Sequence, residues 1–344
     1  MVISAPPFLI SAGRELAALR REFRHAKRSA FADGTRKNLR VQWKSYVMFC
    51  MYFDLTIVPA DKDILGLYIQ FLARSFKSVD AIRNYLSGIK LMHMLLDVSC
   101  PSFSALDIKL ALRGLDRLKQ HSPKRALPIT PELLMQIRMQ LDMFNHVHVT
   151  FWSLCLIAFF CMARKSNLVP QSAKSFDVTK QLCRQDILVG ADCMLVTFKW
   201  GKTNQFNKRR IHLPLMHIPG SLLCPVRAFL LMVGMVPAKG RDPAFAIMHG
   251  NRLIPFSYPQ FQAMLKCAIS QAGLDPDDFS SHSFRRGGAS TAFRAHVSSD
   301  LIQAQGDWAS DCYKRYLDFS LQDRAEVSSG MASHIRSVEM SMGI

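Results

Sequence analysis

A short block near the C-terminus contains four side chains whose types and spacing suit the binding of, and attack on, a phosphate ester. The block consists of two segments: HSFRRGGAS, which begins at His282, and GDWASDCYKRYLDFS, which begins at Gly306. His282 and Arg285 are three residues apart, which places an imidazole and a guanidinium on neighbouring turns of a helix, where both can face one anion. Trp308 and Tyr316 follow, and a tyrosine on a later helix could reach the same anion.

This order of residues resembles the C-terminal signature of the tyrosine recombinases and integrases. The ending G-x-W-x-S-D-x-Y-x-x-Y is most similar to eukaryotic mobile-element recombinases of the DIRS and Crypton types. The resemblance covers residues 35–325 and is most specific from residue 125 onward. It implies a helical core-binding domain and a mixed α+β catalytic domain that close as a clamp around duplex DNA. It also implies DNA cleavage and rejoining through a 3′-phosphotyrosyl intermediate, in a homotetramer on DNA, without a metal or other cofactor.

Arg164 and a lysine complete the catalytic set that the resemblance implies. Arg164 follows the apolar run FWSLCLIAFFCMA, where a guanidinium is costly unless it finds an anion. The alternative is an arginine that extends from a core helix into solvent. The family carries its lysine on a β-hairpin, and Lys202 at the hairpin tip is favoured over Lys199 within the strand. Asn167 departs from the family pattern, since many relatives have Glu there.

Two tyrosines compete for the role of nucleophile. Bacterial relatives commonly place the tyrosine nine residues after the His or Trp; Tyr316 is eight residues after Trp308, and Tyr313 only five. Tyr316 is therefore the predicted nucleophile. Arg286, next to Arg285, points about 100° away on a helix and is the weaker candidate for binding the anion.

The chemistry that these residues imply is in-line attack by a phenol oxygen on phosphorus. Two guanidiniums, an imidazole and an indole N–H would stabilise the negative charge that builds on the nonbridging oxygens. A phenol has an ordinary pKa of about 10, so Tyr316 must lose its proton during attack, assisted by nearby cations or by His282. By resemblance, Lys202 protonates the departing 5′ oxygen. No metal site is predicted, because His146 and His148 have no acidic neighbours at metal-ligand spacing.

The charge balance predicts an anionic partner. The chain has 44 Lys and Arg against 26 Asp and Glu, a formal net charge of +18 and a pI near 9.8, and double-stranded DNA is the partner that fits the motif. RNA binding is disfavoured, because no aromatic RNP-like or G-x-x-G pattern occurs. The cations predicted to contact phosphates are Arg36, Lys37, Arg40, Lys44, Lys124, Arg125, Lys208, Arg209 and Arg210.

The hydrophobic pattern predicts a mainly α fold with a small β-sheet. Its expected divisions are a flexible arm (1–34), a helical core DNA-binding domain (35–120), a basic linker (121–130), the catalytic domain (131–325) and a tail (326–344). Four helices are predicted in the first domain from their periodicity. In the second domain, helices lead to a hairpin formed by CMLVTFKW and RRIHLPL, after which the chain is predicted to be helical again. The tail has apolar residues at helical spacing, and we expect it to dock into a neighbouring subunit.

Composition also bears on the compartment. The longest apolar run falls short of the ~20 residues needed to cross a bilayer, and nine scattered cysteines without a C-x-x-C pair favour reduced thiols. We therefore expect no membrane partner and no secretion, with the nucleus as the compartment in a eukaryote and the cytoplasm otherwise. Two alternative functions stay open: a DNA-relaxing enzyme of the type IB topoisomerase class, and a catalytically silent DNA-binding protein on the same scaffold.

Overall fold

The computed structural model describes residues 7–122, 124–201, 209–316 and 321–342. The chain forms two compact units, Met1–Pro123 and Lys124–Ile344. The predicted fold class, mainly helical with small antiparallel sheets, is confirmed. The first unit contains helices α1 (Pro7–Ser29), α2 (Asp33–Tyr52), α3 (Lys62–Ser75), α4 (Val79–Leu95) and α5 (Leu106–Lys119).

The second unit combines helices with two small sheets. Its helices are α6 (Pro131–Met139), α7 (His146–Phe160), α8 (Lys165–Leu168), α9 (Pro225–Met235), α10 (Tyr258–Gln271), α11 (Ser281–Arg294), α12 (Ser299–Gln305) and α13 (Leu321–Met342). Its strands are β1 (Ile187–Val189), β2 (Cys193–Phe198), β3 (Ile211–Met216), β4 (Ala246–His249) and β5 (Arg252–Pro255).

The core of the first unit is rich in aromatic rings. Tyr46 and Phe49 of α2 pack against Tyr68 of α3, with ring centroids 5.2 and 5.0 Å apart. The buried hydroxyl of Tyr68 donates to Ser45 Oγ at 2.9 Å, so its polar end has a partner. Asp61 caps α3 by accepting a hydrogen bond from the backbone N–H of Ile64 at 2.7 Å, as its position before the helix predicts.

The N-terminal segment differs from its expected form. Residues 1–34 were expected to be a flexible arm, but Pro7–Ser29 forms helix α1. The physical reason is composition: the segment is rich in Ala, Arg, Leu and Glu, which are strong helix formers. Leu16, Leu19 and Phe23 are exposed along this helix, so intrinsic propensity and not burial accounts for its conformation.

The core of the second unit is built around α7. Residues Val149 to Phe159 of this helix are all buried, which explains why its sequence is apolar on every face. Strand β2 pairs antiparallel with β1 on one side and with β3 on the other. Along β2, Met194, Val196 and Phe198 alternate into this core, as the period of a strand requires.

The predicted hairpin of β2 and β3 is therefore present, but the expectation of continuous helix beyond it is wrong. Strands β4 and β5 form a second antiparallel hairpin, in which His249 pairs with Arg252. The turn between them includes Gly250 with φ +57°, a left-handed conformation that glycine adopts without strain. The Gly250-Asn251 pair between apolar residues is a turn signal that could have identified this hairpin.

The C-terminal segment is one helix, α13, which begins at Leu321 and so crosses the expected boundary between catalytic domain and tail at 325/326. Its apolar residues Val327, Met331, Ile335 and Val338 are exposed. Nowhere in the described parts of the chain is there a helix with the length and apolar character needed to span a membrane.

Candidate active site

Helix α11 positions the first two predicted catalytic residues. Ser280 caps this helix: its hydroxyl accepts from the backbone N–H of His282 at 3.2 Å, and the backbone N–H of Ser280 donates to the hydroxyl of Ser283 at 3.0 Å. This reciprocal cap fixes the first turn. His282 is exposed there and Arg285, one turn on, is only 3% exposed.

Two glycines let α11 pack backbone against backbone in this unit. A Cβ at Gly287 would lie 1.8 Å from the carbonyl oxygen of Ile129, and one at Gly288 would lie 2.3 Å from that of Phe159. Real side chains do not approach so closely, so only glycine fits. Arg286 is turned to this side and donates to the carbonyl of Ala126. The last residues of the expected linker are thus packed onto the second unit.

Arg164 comes from the turn that ends α7. The turn passes through Met162, whose φ of +46° is left-handed, and Arg164 then occupies the N-cap position of α8. The guanidinium of Arg285 donates to the carbonyl oxygen of Met162. Because of this hydrogen bond, the backbone that presents Arg164 is held directly by the second predicted arginine.

Arg164 and Arg285 line one cleft. Its other walls include Asp307, which follows α12, and Ile211 of β3. Arg164 is mostly buried, with 20% of its side chain exposed, so it does not simply extend into solvent as the alternative interpretation proposed. A mostly buried guanidinium requires a compensating anion, and within this chain the carboxylate of Asp307 lies 3.9 Å from it.

Trp308 contacts Arg285, which lines the cleft, and so lies next to the site. The Arg285 guanidinium carbon is 3.8 Å from the centre of the Trp308 ring, a cation–π distance. Trp308 is 6% exposed and belongs to a small buried cluster with Met162, Ile302 and Tyr313. The indole therefore belongs to a buried cluster and at the same time supports Arg285, one of the guanidiniums of the cleft.

His282 lies in a cationic environment. Partial burial lowers its pKa from the ordinary value, and Arg285, Lys165 and Arg164 lower the pKa further by repelling a proton on the ring. An exposed imidazole edge with a lowered pKa is neutral at pH 7. In that form, one ring nitrogen can accept a proton and the other can donate a hydrogen bond.

Asp307 is the acidic residue of the cleft. Its Oδ2 lies 3.9 Å from Arg164 Nη1, and its Oδ1 forms an ion pair with Nη2 of Arg209. Asp307 is 14% exposed and has a left-handed backbone, with φ +51°. A single carboxylate thus joins a predicted catalytic arginine to one that the sequence assigned to DNA backbone contact.

Of the two lysine candidates for the general acid, the structure describes Lys199 but not Lys202. Lys199 is committed to a structural ion pair: its Nζ lies 2.6 Å from Asp186 Oδ2 and donates to the carbonyl oxygen of Val178 at 2.8 Å. Asp186 is buried, so withdrawing Lys199 would leave an uncompensated carboxylate. Lys202 lies outside the described residues.

The tyrosine pair lies on one helix, as the sequence suggested, and this helix is of the 3₁₀ type, Asp311–Tyr316. Tyr313 is 1% exposed and packs on Trp308 with ring centroids 5.7 Å apart. It is a core residue. Tyr316 ends the 3₁₀ helix, and its side chain lies outside the described part of the structure.

Comparisons with known proteins identify the fold of the chain. No family model matches the chain. The integrase/recombinase xerD homolog of Selenomonas ruminantium is 23% identical over 283 residues, which cover 80% of this chain and 78% of that protein.

Several solved structures are similar over most of the chain. The lambda integrase dimer bound to a COC′ core site matches with a TM-score of 0.55 at 15% identity, covering 93% of this chain and 82% of that one. The Tn1549 transposon integrase in complex with transposon right end DNA matches with a TM-score of 0.59 at 13% identity, covering 91% and 98%. The chain has the fold of the tyrosine recombinases and phage integrases.

Within the tyrosine recombinase fold, Asn167 departs from the predicted family pattern in a specific way. Its side-chain amide donates to the carbonyl oxygen of Trp200 at 2.8 Å. Asn167 is therefore used to hold the chain just beyond β2, and being neutral it adds no charge to the cleft.

The predicted phosphate contacts fall into two groups. Those on α2 are all exposed, at positions 36, 37, 40 and 44, and thus line one basic helix face. In the second unit, Lys124 pairs with Asp278 at 2.7 Å, which raises the pKa of the lysine. Arg125 and Arg210 are exposed, Arg209 pairs with Asp307, and Lys208 lies outside the described residues.

Sequence reasoning missed two charged residues of the candidate site: Asp307, which lines the cleft, and Lys165, whose charge acts on His282. Lys165 follows Arg164 directly but was not predicted to act at the site. Asp307, between Gly306 and Trp308, was treated as a variable position of the motif. The signal for Asp307 was an acidic side chain inside a block otherwise predicted to bind an anion. Its partners are 98 and more residues away in the chain, so spacing alone could not identify its contacts.

Proposed function

We propose that this protein is a tyrosine recombinase that cuts and rejoins duplex DNA through a covalent 3′-phosphotyrosyl intermediate. The observation that carries the proposal is that Arg164 and Arg285 line one cleft, with Trp308 packed on the Arg285 guanidinium and His282 in the same electrostatic environment. These residues come from three separated segments of the sequence. A purely structural role for each would not require that they meet.

The proposed reaction is a transesterification. The Tyr316 oxygen forms a bond to phosphorus as the bond from phosphorus to the 5′ oxygen breaks, while the phenol loses its proton to His282 or to solvent. Lys202 protonates the departing 5′ oxygen. Arg164 and Arg285 stabilise the charge on the nonbridging oxygens, where preorganised donors contribute most. A 5′-hydroxyl from a second strand reverses these steps, so the energy of the phosphodiester bond is conserved.

The electrostatics of the chain support DNA as the substrate. Neutral His282 beside several cations fits a site that awaits a phosphate, and the exposed basic face of α2 fits the tracking of a phosphate backbone. The solved structures of similar fold include integrases bound to DNA core sites and transposon ends.

We further propose exchange between two DNA sites by a homotetramer, in a mobile element. One Tyr316 per chain can cut one strand, and exchange requires four cuts. The apolar stripe of α13 is the surface proposed for contact with a neighbouring subunit, and the ending G-x-W-x-S-D-x-Y-x-x-Y supports the mobile-element class.

The deciding experiment is a suicide-substrate assay with nicked duplex DNA, in which a cut releases a short strand and traps the covalent adduct. We expect a protein–DNA adduct that resists denaturant, and EDTA should leave its yield unchanged. Arg164→Ala and Arg285→Ala should each slow adduct formation by on the order of 100-fold or more. Arg252→Ala, which removes an exposed cation on β5, is the control and should cleave normally.

The same assay separates the alternatives. A silent DNA-binding protein would bind the duplex with a steep salt dependence and yield no adduct at any protein concentration. An enzyme of the topoisomerase class would form the adduct and relax supercoiled plasmid as a monomer, without exchange between sites. Loss of the adduct in EDTA and its recovery with magnesium would contradict the proposed mechanism.

A further inference from the structure

Asp307 occupies an unexpected place for a carboxylate. It lines the cleft with Arg164 and Arg285, where the proposed function requires a DNA phosphate to bind. A negative charge there repels the phosphate and, taken alone, would weaken binding. We therefore expect an interaction of the Asp307 carboxylate that offsets this unfavourable effect on phosphate binding.

The backbone holds Asp307 rigidly. The N–H groups of Asp307 and Trp308 donate to the carbonyls of Ala304 and Gln303, both at 3.1 Å, which ties the turn to the end of α12. The left-handed φ of +51° at Asp307 is a conformation that Asp and Asn tolerate better than other residues with a side chain. The carboxylate is therefore presented to the cleft from a fixed point.

From this point the carboxylate contacts two guanidiniums, Arg164 and Arg209. A free arginine side chain has about 2 kcal/mol of rotamer entropy to lose when it is ordered. An ion pair made before DNA arrives orders the side chain in advance, so the phosphate meets a preorganised donor. Arg164 and Arg285 line the cleft with Asp307, so the lining has two guanidiniums against one carboxylate and its net charge stays positive even without Arg209.

Asn167 cannot take this role. Its amide is uncharged and donates to the carbonyl of Trp200. Among the residues that line the cleft, Asp307 is the carboxylate.

We propose that Asp307 is a positioning residue that holds Arg164 in its phosphate-binding orientation and brings Arg209 into the cleft as a further guanidinium. This inference rests on the proposed DNA cleavage. It adds Arg209, which lies in the β2–β3 connection two residues before β3, to the residues that act at the scissile phosphate. Asp307 acts through these arginines and does not touch the reacting atoms.

The test is a comparison of single-turnover cleavage and DNA affinity in Asp307→Asn. Asn keeps the size and tolerates the left-handed backbone, but it removes the charge that holds both arginines. The control is Asp311→Asn, because Asp311 lies four residues on and pairs only with exposed Lys314 among the contacts described for it, at 2.7 Å. Both variants lose one negative charge from the same segment.

We expect Asp307→Asn to lower the cleavage rate at saturating DNA by about 10- to 100-fold, the range that misplacement of a catalytic group produces. Its dissociation constant for DNA should stay equal or fall, since a charge that repels phosphate has gone. Asp311→Asn should match the wild type in both measurements. A loss of rate with unchanged or tighter binding is not what general destabilisation produces.

A second variant tests the ion-pair pathway without disturbing the buried turn. Arg209 is 61% exposed, so Arg209→Gln should fold normally and lower the cleavage rate in the same direction. In the double variant Asp307→Asn/Arg209→Gln, the combined loss should be smaller than the product of the single losses, because the two residues act as one unit.

The outcomes are distinct. Wild-type protein that forms no adduct contradicts the proposed function itself. Wild-type adduct together with an Asp307→Asn rate equal to that of Asp311→Asn overturns the positioning role. A faster rate in Asp307→Asn also overturns it, since Asp307 would then only compete with the phosphate. Independent losses in the double variant overturn the part assigned to Arg209.

Discussion

The guanidinium of Arg285 lies over the ring of Trp308, with the guanidinium carbon 3.8 Å from the ring centre. The same guanidinium donates to the carbonyl of Met162. One side chain is thus held from two directions, by the wall of the cleft and by the turn that presents Arg164. This arrangement lets the flat face of the indole and its N–H be tested separately.

We expect Trp308→Phe to slow DNA cleavage by about 10-fold and Trp308→Ala by about 100-fold. Phe keeps a ring beneath Arg285 and loses the indole N–H, whereas Ala also loses the cation–π contact, worth ~0.5–2 kcal/mol. Single-turnover cleavage of the nicked substrate measures both rates, and thermal unfolding measures stability. Equal rates in the two variants would show that the ring does not support Arg285.

Tyr316→Phe should abolish the covalent adduct and leave DNA affinity nearly intact, because the lost hydroxyl is the nucleophile and the positive charge lies elsewhere. Tyr313→Phe is the matched control, since it removes a hydroxyl from a buried ring in the same 3₁₀ helix. It should still form the adduct. An adduct that persists in Tyr316→Phe and vanishes in Tyr313→Phe would reverse the assignment.

The lowered pKa of His282 predicts the shape of the pH profile. Burial, with repulsion from Arg285, Lys165 and Arg164, keeps the ring neutral to a pH below the ordinary ~6.5. If neutral His282 accepts the proton of the nucleophile, cleavage should rise with pH through this lowered pKa, at a lower pH than an ordinary histidine would give.

Lys165→Gln tests the electrostatic cause. Removing a neighbouring cation raises the pKa of His282, so the acid limb of the cleavage profile should move to higher pH. The same pKa shift makes the free energy of unfolding increase with pH. Between the folded pKa of His282 and ~6.5 the unfolded state binds more protons than the folded state, so stability rises with pH over that range. An unmoved acid limb in Lys165→Gln would assign that limb to another group.

Gly288→Ala should destabilise the second unit, because its Cβ would meet the carbonyl of Phe159 and push α11 away from α7. Overpacking of this kind costs about 1–3 kcal/mol. Gly234→Ala on α9 is the control, since nothing lies within 4 Å of its added Cβ; the extra helix propensity should leave stability equal or slightly higher. Chemical denaturation measures both, and equal stabilities would contradict the close packing.

Truncation after Leu321 should spare strand cleavage and abolish recombination between two sites, since α13 is proposed to dock on a neighbouring subunit. Ile335→Lys, within the exposed apolar stripe, should act like the truncation, while Ser333→Lys on the opposite side of the helix should not. A two-plasmid recombination assay beside the adduct assay distinguishes the steps. Unchanged recombination in the truncated protein would end the docking proposal.

The sequence by itself predicted most of the elements and supplied most of the candidate residues as hypotheses. Asp61 and Thr130 are N-cap residue types at the starts of helices, and each accepts a backbone N–H: Asp61 from Ile64 at 2.7 Å and Thr130 from Leu133 at 3.2 Å. The alternation along β2 predicted a hairpin strand. These signals are local, because capping and periodicity depend on residues within a turn or two. The three-residue spacing of His282 and Arg285 belongs to the same class.

The tertiary structure alone decided which charged groups meet. Asp307 pairs with Arg164 and Arg209, and Lys199 is held by Asp186, across separations that no helical or strand period encodes. The β4–β5 hairpin with its turn at Gly250 was likewise missed from sequence, and the 3₁₀ form of the Asp311–Tyr316 helix was not specified by it. The physical reason is that ion pairs and irregular turns depend on where packing brings distant segments together. Local propensity has no information about those distances.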